Sequence, residues 1–233
     1  MIDRRRLLKT LTGAGLLAGT ALSAGFLELL ALALAANGAP VTDIQAGQTA
    51  ASLEHLAVAV YDQAATLPFM KTFPRPVEGL FIAFITQTIG QHTEHGRAFN
   101  EAVKALGGRE QTGMDQAVLN GIVQPALPNL RSALDVVKLA AEIELVAAET
   151  YAALTAVVTD KVLRSTFASV AGVEGQHRAV LLTITNLLES GATALLTIPT
   201  QPNALPAASG SAGFPDSFLA ADAARPGAEG ALR

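Results

Sequence analysis

Apolar residues recur at helical spacing along most of this chain, and four long segments carry the pattern. The first helix is predicted from about Ala46 to Thr66, with Ala50, Ala51, Ala57, Val58 and Tyr61 grouped on one face around Glu54; Pro68, Pro74 and Pro76 then break the chain. The second runs from about Val77 to Leu106 on a stripe of Phe81, Ile85, Ile89, Ala98, Phe99, Ala102 and Leu106. His92 and His95 lie on that stripe, while Gln87, Gln91, Glu94, Arg97, Glu101 and Lys104 form its wet face, and Gly107-Gly108 ends it. The third, about Arg131 to Val158, sets Val137, Ala140, Ala141, Ala147, Ala148 and Tyr151 around Glu144, with Asp135, Lys138, Glu142 and Glu149 turned outward. The fourth, about Asp160 to Leu188, buries Leu163, Phe167, Val170, Ala171, Val180, Leu181 and Ile184 beside Glu174 and His177.

Link lengths set the connectivity. The third and fourth segments nearly touch and the first link is fairly short, so each pair is an antiparallel hairpin. The one long link, Gly107 to Leu130, holds Pro125, Pro128 and a short helical turn from Met114 to Leu119. The expected fold is all-α: a four-helix bundle spanning about 46–190 with one long crossover between its second and third helices. Residues 199–233 are rich in Pro, Gly, Ala and Ser and read as a wrap or a disordered extension, with Phe214 and Phe218 as its anchors.

Set into these apolar faces is a polar pattern that both halves repeat. Glu54 is followed seven residues later by Tyr61 and then by His92 and His95; Glu144 is followed seven later by Tyr151 and then by Glu174 and His177. Seven residues are about two helical turns, so each Glu shares a face with its Tyr, as does each i,i+3 pair. An isolated ionised carboxylate among apolar residues costs several kcal/mol unless paired, on the order of the desolvation penalty of a buried ion. No Lys or Arg lies on these inner faces to pair with it. A single glutamate or histidine of this kind is usually solvated or structural, but six in a repeated order point to a metal site. His55, about 100° around the helix from Glu54, is peripheral.

Composition narrows the chemistry. Half of the 233 residues are hydrophobic, 15% are charged and cysteine is absent, so disulfides and thiolate ligands are excluded and a metal would see only nitrogen and oxygen. The start, Asp3-Arg4-Arg5-Arg6-Leu7-Leu8-Lys9, resembles the twin-arginine export signal, with Asp3 where Ser or Thr is usual. A Leu/Ala/Gly stretch from Leu11 to Ala36 follows, with Ala33-Leu34-Ala35 as a cleavage site. Residues 1–36 are thus a signal segment, and the protein is expected outside the cytoplasm, periplasmic in a bacterium, after transient contact with the twin-arginine machinery. Left uncleaved, that stretch would be a membrane anchor, a role to which Glu28 and the many Gly and Ala are poorly suited. Cleavage moves the formal charge from −4 to −6 by removing four basic and two acidic residues. An acidic mature chain excludes nucleic acid as the expected partner.

Taken together, Glu54, Glu144 and Glu174-Gly175-Gln176-His177 resemble the ferritin-like superfamily, and in particular exported bacterial ferritin-like domain proteins, over about residues 46–190. The resemblance implies a di-iron or di-manganese carboxylate centre, with one Glu from each of two helices and Glu-x-x-His from each of the other two. The second helix departs from it: His92-Thr93-Glu94-His95 has histidine where the motif has glutamate, and Glu94 lies about 200° around the helix from His92. In the family that glutamate commonly bridges the metals, which an imidazole does not do in the same way. The candidate ligands are therefore Glu54, His92, His95, Glu144, Glu174 and His177, holding one or two ions of Fe or Mn, or Zn, with Tyr61 and Tyr151 as hydrogen-bonding neighbours or core packing. Two functions follow: a redox protein that oxidises Fe(II) or consumes oxygen or peroxide, or a non-enzymatic exported bundle for stress tolerance, metal sequestration or structure.

Overall fold

A computed structural model describes residues 42–71, 75–193 and 217–219. The signal segment, Phe214 and most of the C-terminal extension lie outside the described residues. Four long helices make the bundle: α1 (Asp43–Thr66), α2 (Arg75–Ala105), α3 (Ala133–Val157) and α4 (Lys161–Glu189). No strand occurs among the described residues, and no helix there is long and apolar enough to cross a membrane.

Local chemistry sets the helix ends. The Thr42 hydroxyl accepts from the Gln45 backbone N–H while the Gln45 side chain accepts from the Thr42 N–H, so α1 begins three residues before the apolar pattern does. Ser132 and Asp135 make the same reciprocal box at the start of α3, and Asp160 caps α4 through the Leu163 N–H. At the far end of α2, Gly107 takes a left-handed φ of 82°, which a side chain would resist. Asp43 then ties α1 to the α3–α4 turn, accepting from the Thr159 N–H, the Thr159 hydroxyl and the Asp160 N–H.

Pairings between helices give their directions. Glu54 meets Tyr151 while Tyr61 meets Glu144, so α1 and α3 run antiparallel; Phe99 meets Phe167 while Gln91 meets His177, so α2 and α4 do too. With α1–α2 and α3–α4 packed as hairpins, every neighbouring pair is antiparallel. The end of α2 and the start of α3 therefore lie at opposite ends of the bundle, and the crossover must run its length. It is more helical than the single turn expected, with helical turns at Gln116–Val118, Leu119–Val123, Gln124–Ala126 and Leu127–Asn129. Val123 packs with Leu56, Leu139 and Ile143 over the α1–α3 groove. A reciprocal pair between Asn100 and Gln111 pins its first residues, as does the Asp115 N–H donating to the Ser52 carbonyl.

The core is divided. One apolar cluster gathers Met70, Phe81, Phe84, Ile85, Val137 and Leu181; the other gathers Leu53, Phe99, Tyr151, Leu163, Phe167 and Val170. Each buried Leu or Phe contributes about 1.5–3 kcal/mol, so these two layers carry the bundle. Between α1, the crossover and the first cluster lies a cavity of about 430 Å³ with almost wholly apolar walls. A layer of charged and polar side chains separates the two clusters.

Candidate metal centre

All six candidate ligands fall in that middle layer and are buried: Glu54, His92, His95, Glu144, Glu174 and His177. Each helix supplies them from near its midpoint, Glu54 from α1, His92 and His95 from α2, Glu144 from α3, Glu174 and His177 from α4. They form two overlapping quartets, Glu54/His92/His95/Glu174 and His92/Glu144/Glu174/His177, in each of which four ligand atoms lie within 4.8 Å of one another. His92 and Glu174 belong to both.

Glu174 reaches to either side. Its Oε1 lies 2.8 Å from His95 Nδ1, and its Oε2 lies 3.0 Å from His177 Nδ1. His92 sits opposite, its Nδ1 2.7 Å from Glu54 Oε2 and 3.6 Å from Glu174 Oε1, its Nε2 3.3 Å from Glu144 Oε1. The Tyr61 ring stacks on the His92 ring with centroids 5.6 Å apart. Close approach of α1 and α2 here depends on Gly96, where a Cβ would come to 3.3 Å from the Glu54 Cβ.

The outer nitrogens of two imidazoles are held from outside the cluster. His177 Nε2 pairs with Gln91 Oε1 at 2.6 Å, and His95 Nε2 with the Ser217 carbonyl at 2.6 Å. Gln91 is 1% exposed, which corrects its placement on the wet face of the second helix. The sequence held the signal for this: Thr88, Gln91, His95 and Phe99 follow one another at spacings of three and four, and all are buried. Phe218 packs on His95 at 5.5 Å between ring centroids, the anchoring role expected of it. Tyr61 donates to Glu144 and Tyr151 to Glu54, each across to the other hairpin. His55 pairs with the Gln111 carbonyl at 2.8 Å, outside the cluster, and Glu94 and Arg97 are exposed. Arg178 is not an ordinary solvated charge: it is half-buried, with its Nε enclosed and without a hydrogen bond among the described residues.

Electrostatics follow from packing charges together out of water. Burial opposes ionisation of Glu54, but the hydrogen bond and charge of His92, then the nearby charge of His95, win and hold its carboxyl down at about 2. Glu144 is likewise held well below the usual carboxylate range against burial, by His92 and His177. Glu174 is pushed up, first by burial and then by its fellow carboxylates, although His92 counters. Burial disfavours the charged imidazoles, yet facing carboxylates raise all three, His95 to about 10 and His92 and His177 in the same direction. Tyr61 and Tyr151 are held well above their usual range, first by burial and then by the carboxylates they face, so both hydroxyls stay protonated and donate.

Three buried atoms pointing at this cluster have no hydrogen bond: His95 Nδ1, Glu144 Oε2 and Glu174 Oε1. His95 Nδ1 and Glu174 Oε1 are only 2.8 Å apart and still not aligned as donor and acceptor. Ligand atoms that converge without pairing fit a cation in place of the imidazole protons, and the set of three carboxylates and three imidazoles suits a divalent transition metal. The sequence profile of the ferritin-like domain matches residues 42–187, from the cap of α1 almost to the end of α4. The chain belongs to the ferritin-like domain family. No curated relative and no solved structure gives a match. Within the ferritin-like frame each of the four helices of this chain brings a carboxylate or an imidazole to one buried layer, and His92 lies opposite Glu174.

Proposed function

We propose that this is an exported ferritin-like protein whose mid-bundle cluster holds one or two ions of iron or manganese and that it oxidises Fe(II) or consumes oxygen or peroxide. The observation that carries this reading is the pair of overlapping ligand quartets, fully buried and with no lysine or arginine paired to them among the described residues. A redox metal there supplies one-electron chemistry and a Lewis acid in a dry site.

The chain's own residues divide the work. Glu54 and His95 would help to hold one position and Glu144 and His177 the other, with His92 and Glu174 within reach of both. Tyr151 and Tyr61 fix the outer carboxylates by hydrogen bonds, and Gln91 keeps His177 turned with Nδ1 inward. Three carboxylates leave two divalent ions one positive charge in excess, so the two positions are unequal in affinity. Export through the twin-arginine route, which carries folded cargo, suits a protein that takes up its metal first; the Arg4-Arg5-Arg6 start supports this.

Elemental analysis of protein exported by its own signal tests the proposal: one to two Fe or Mn per chain are expected. Oxygen-dependent Fe(II) oxidation should be lost in Glu174→Ala. A second reading, a non-enzymatic exported bundle for metal sequestration or stress tolerance, is favoured by His92, which can pair with Glu54 and Glu144 without a metal. Metal uptake without Fe(II) oxidation or peroxide consumption would select it. A chain with no bound metal and no affinity for Fe(II), Mn(II) or Zn(II) rejects the metal site.

A further inference from the structure

His95 and His177 face the cluster in the same way, each with Nδ1 inward and Nε2 held by an oxygen behind it. For His177 that oxygen belongs to Gln91, one helix away. For His95 it is the backbone carbonyl of Ser217, 122 residues along the chain in the C-terminal extension. Three contacts seat this short piece. The Phe218 ring lies edge-on to His95; Leu219 covers Gly172 of α4, its Cδ2 3.4 Å from where a Cβ would stand; and the Ser169 hydroxyl points at the Leu219 carbonyl from 3.4 Å. His95 is thereby wholly buried, while Leu219 itself is 60% exposed.

We propose that the Ser217 carbonyl is a positioning group for the candidate ligand His95, delivered by residues 217–219 of the C-terminal extension. The physical reason is the chemistry of imidazole. A neutral ring has one N–H and one lone pair, and a carbonyl accepts but cannot donate, so a ring whose Nε2 faces the Ser217 oxygen carries its proton there and its lone pair on Nδ1. Nδ1 is the nitrogen that faces Glu174 and Glu54, at 2.8 and 3.5 Å, and that has no hydrogen bond of its own. Outer partners of this kind typically change metal affinity by 10- to 100-fold. Gly172 serves the arrangement by leaving room: outside its own helix backbone, Leu219 alone among the described residues lies within 4 Å of a Cβ added there. This inference rests on the metal reading of the cluster.

Three variants of the full chain separate positioning from folding. Phe218→Ala removes the ring that packs on His95, Gly172→Leu places a side chain where Leu219 sits, and Phe218→Tyr keeps the ring. In the native protein the His95 Nε2–H should appear in proton NMR as a downfield, slowly exchanging resonance, and Zn(II)-loaded protein should show metal on Nδ1 by ¹⁵N shifts. Phe218→Ala and Gly172→Leu should lose that resonance and bind Zn(II) roughly 10- to 100-fold more weakly, with the metal-free bundle still helical and melting in one cooperative transition; Phe218→Tyr should restore both readouts. Native Zn(II) affinity in both disruptive variants, or weakened affinity with the His95 resonance intact, overturns the positioning role. A native chain that shows the resonance yet binds no Zn(II) overturns the metal reading and with it the role of Ser217, an outcome distinct from native binding that the variants leave untouched.

Discussion

Tyr151 on α3 donates its hydroxyl to Glu54 on α1 at 2.5 Å, and Tyr61 on α1 returns the same contact to Glu144 on α3. Each tyrosine serves the carboxylate of the opposite hairpin, although in sequence it lies nearest the carboxylate of its own. Helix direction explains this: α1 and α3 run antiparallel, so moving two turns along one helix meets the residue two turns back on the other.

Loss of either hydroxyl should therefore loosen a carboxylate of the opposite hairpin. Tyr151→Phe is expected to cost about 1.5–3 kcal/mol, the worth of a hydrogen bond to a charged group, and to weaken metal binding. Urea unfolding of the metal-free protein and Zn(II) titration measure the two effects. An unchanged midpoint and an unchanged affinity together would remove the tyrosine from the site.

His92→Glu should act in opposite directions with and without metal. The fourth carboxylate balances two divalent ions, so Mn(II) stoichiometry should rise to two per chain. Without metal the change removes the cation that faces Glu54, Glu144 and Glu174 and adds a like charge, so the unfolding temperature should fall. Stoichiometry comes from equilibrium dialysis and stability from calorimetry.

The pH dependence of the metal-free protein follows from the same groups. Glu54, held down at about 2, contributes stability that is complete above its unfolded value near 4.5 and is lost as pH falls toward 2. His95, raised to about 10, contributes stability that is complete below its unfolded value near 6.5 and is lost as pH rises toward 10. Maximum stability should lie between these unfolded values, in mildly acid solution, and decline on the alkaline side. Thermal melts after chelation across pH 3–10 check this; a metal that takes the place of the imidazole protons should shift the maximum upward and release protons when it binds.

The apolar cavity beside Tyr61 offers a substitution away from the ligands. Val136 lines it, and Val136→Ile adds one methyl group to a space of about 430 Å³. A gain of roughly 0.5–2 kcal/mol in stability, with metal content unchanged, is expected from guanidinium unfolding.

Much of this was legible in the chain. Apolar periodicity placed the four helices, link lengths placed the crossover, and the repeated Glu/Tyr and His/His or Glu/His spacings named the six residues that converge. Gln91 escaped because it sits beside His92 on a helix where Gln87, Glu94, Arg97, Glu101 and Lys104 face water; a buried amide and an exposed one look alike until the partner, His177, is in place. Ser217 could not be found at all, since what it offers is a backbone carbonyl that any residue has. The crossover showed only one of its helical turns because short turns between prolines leave no period to read. The ferritin-like profile ends at residue 187 and does not reach the segment that holds His95.

Half of the ligand layer belongs to each hairpin: Glu54, His92 and His95 to α1–α2, Glu144, Glu174 and His177 to α3–α4. Neither hairpin holds a complete quartet, so a bound ion joins two parts of the chain that the long crossover otherwise leaves to find each other. In a protein with no cysteine, an ion held as proposed would be a cross-link, reversible and sensitive to chelators, closing a loop of dozens of residues and restricting the unfolded chain as a disulfide would. Resistance to unfolding would then track the supply of metal at the moment of folding.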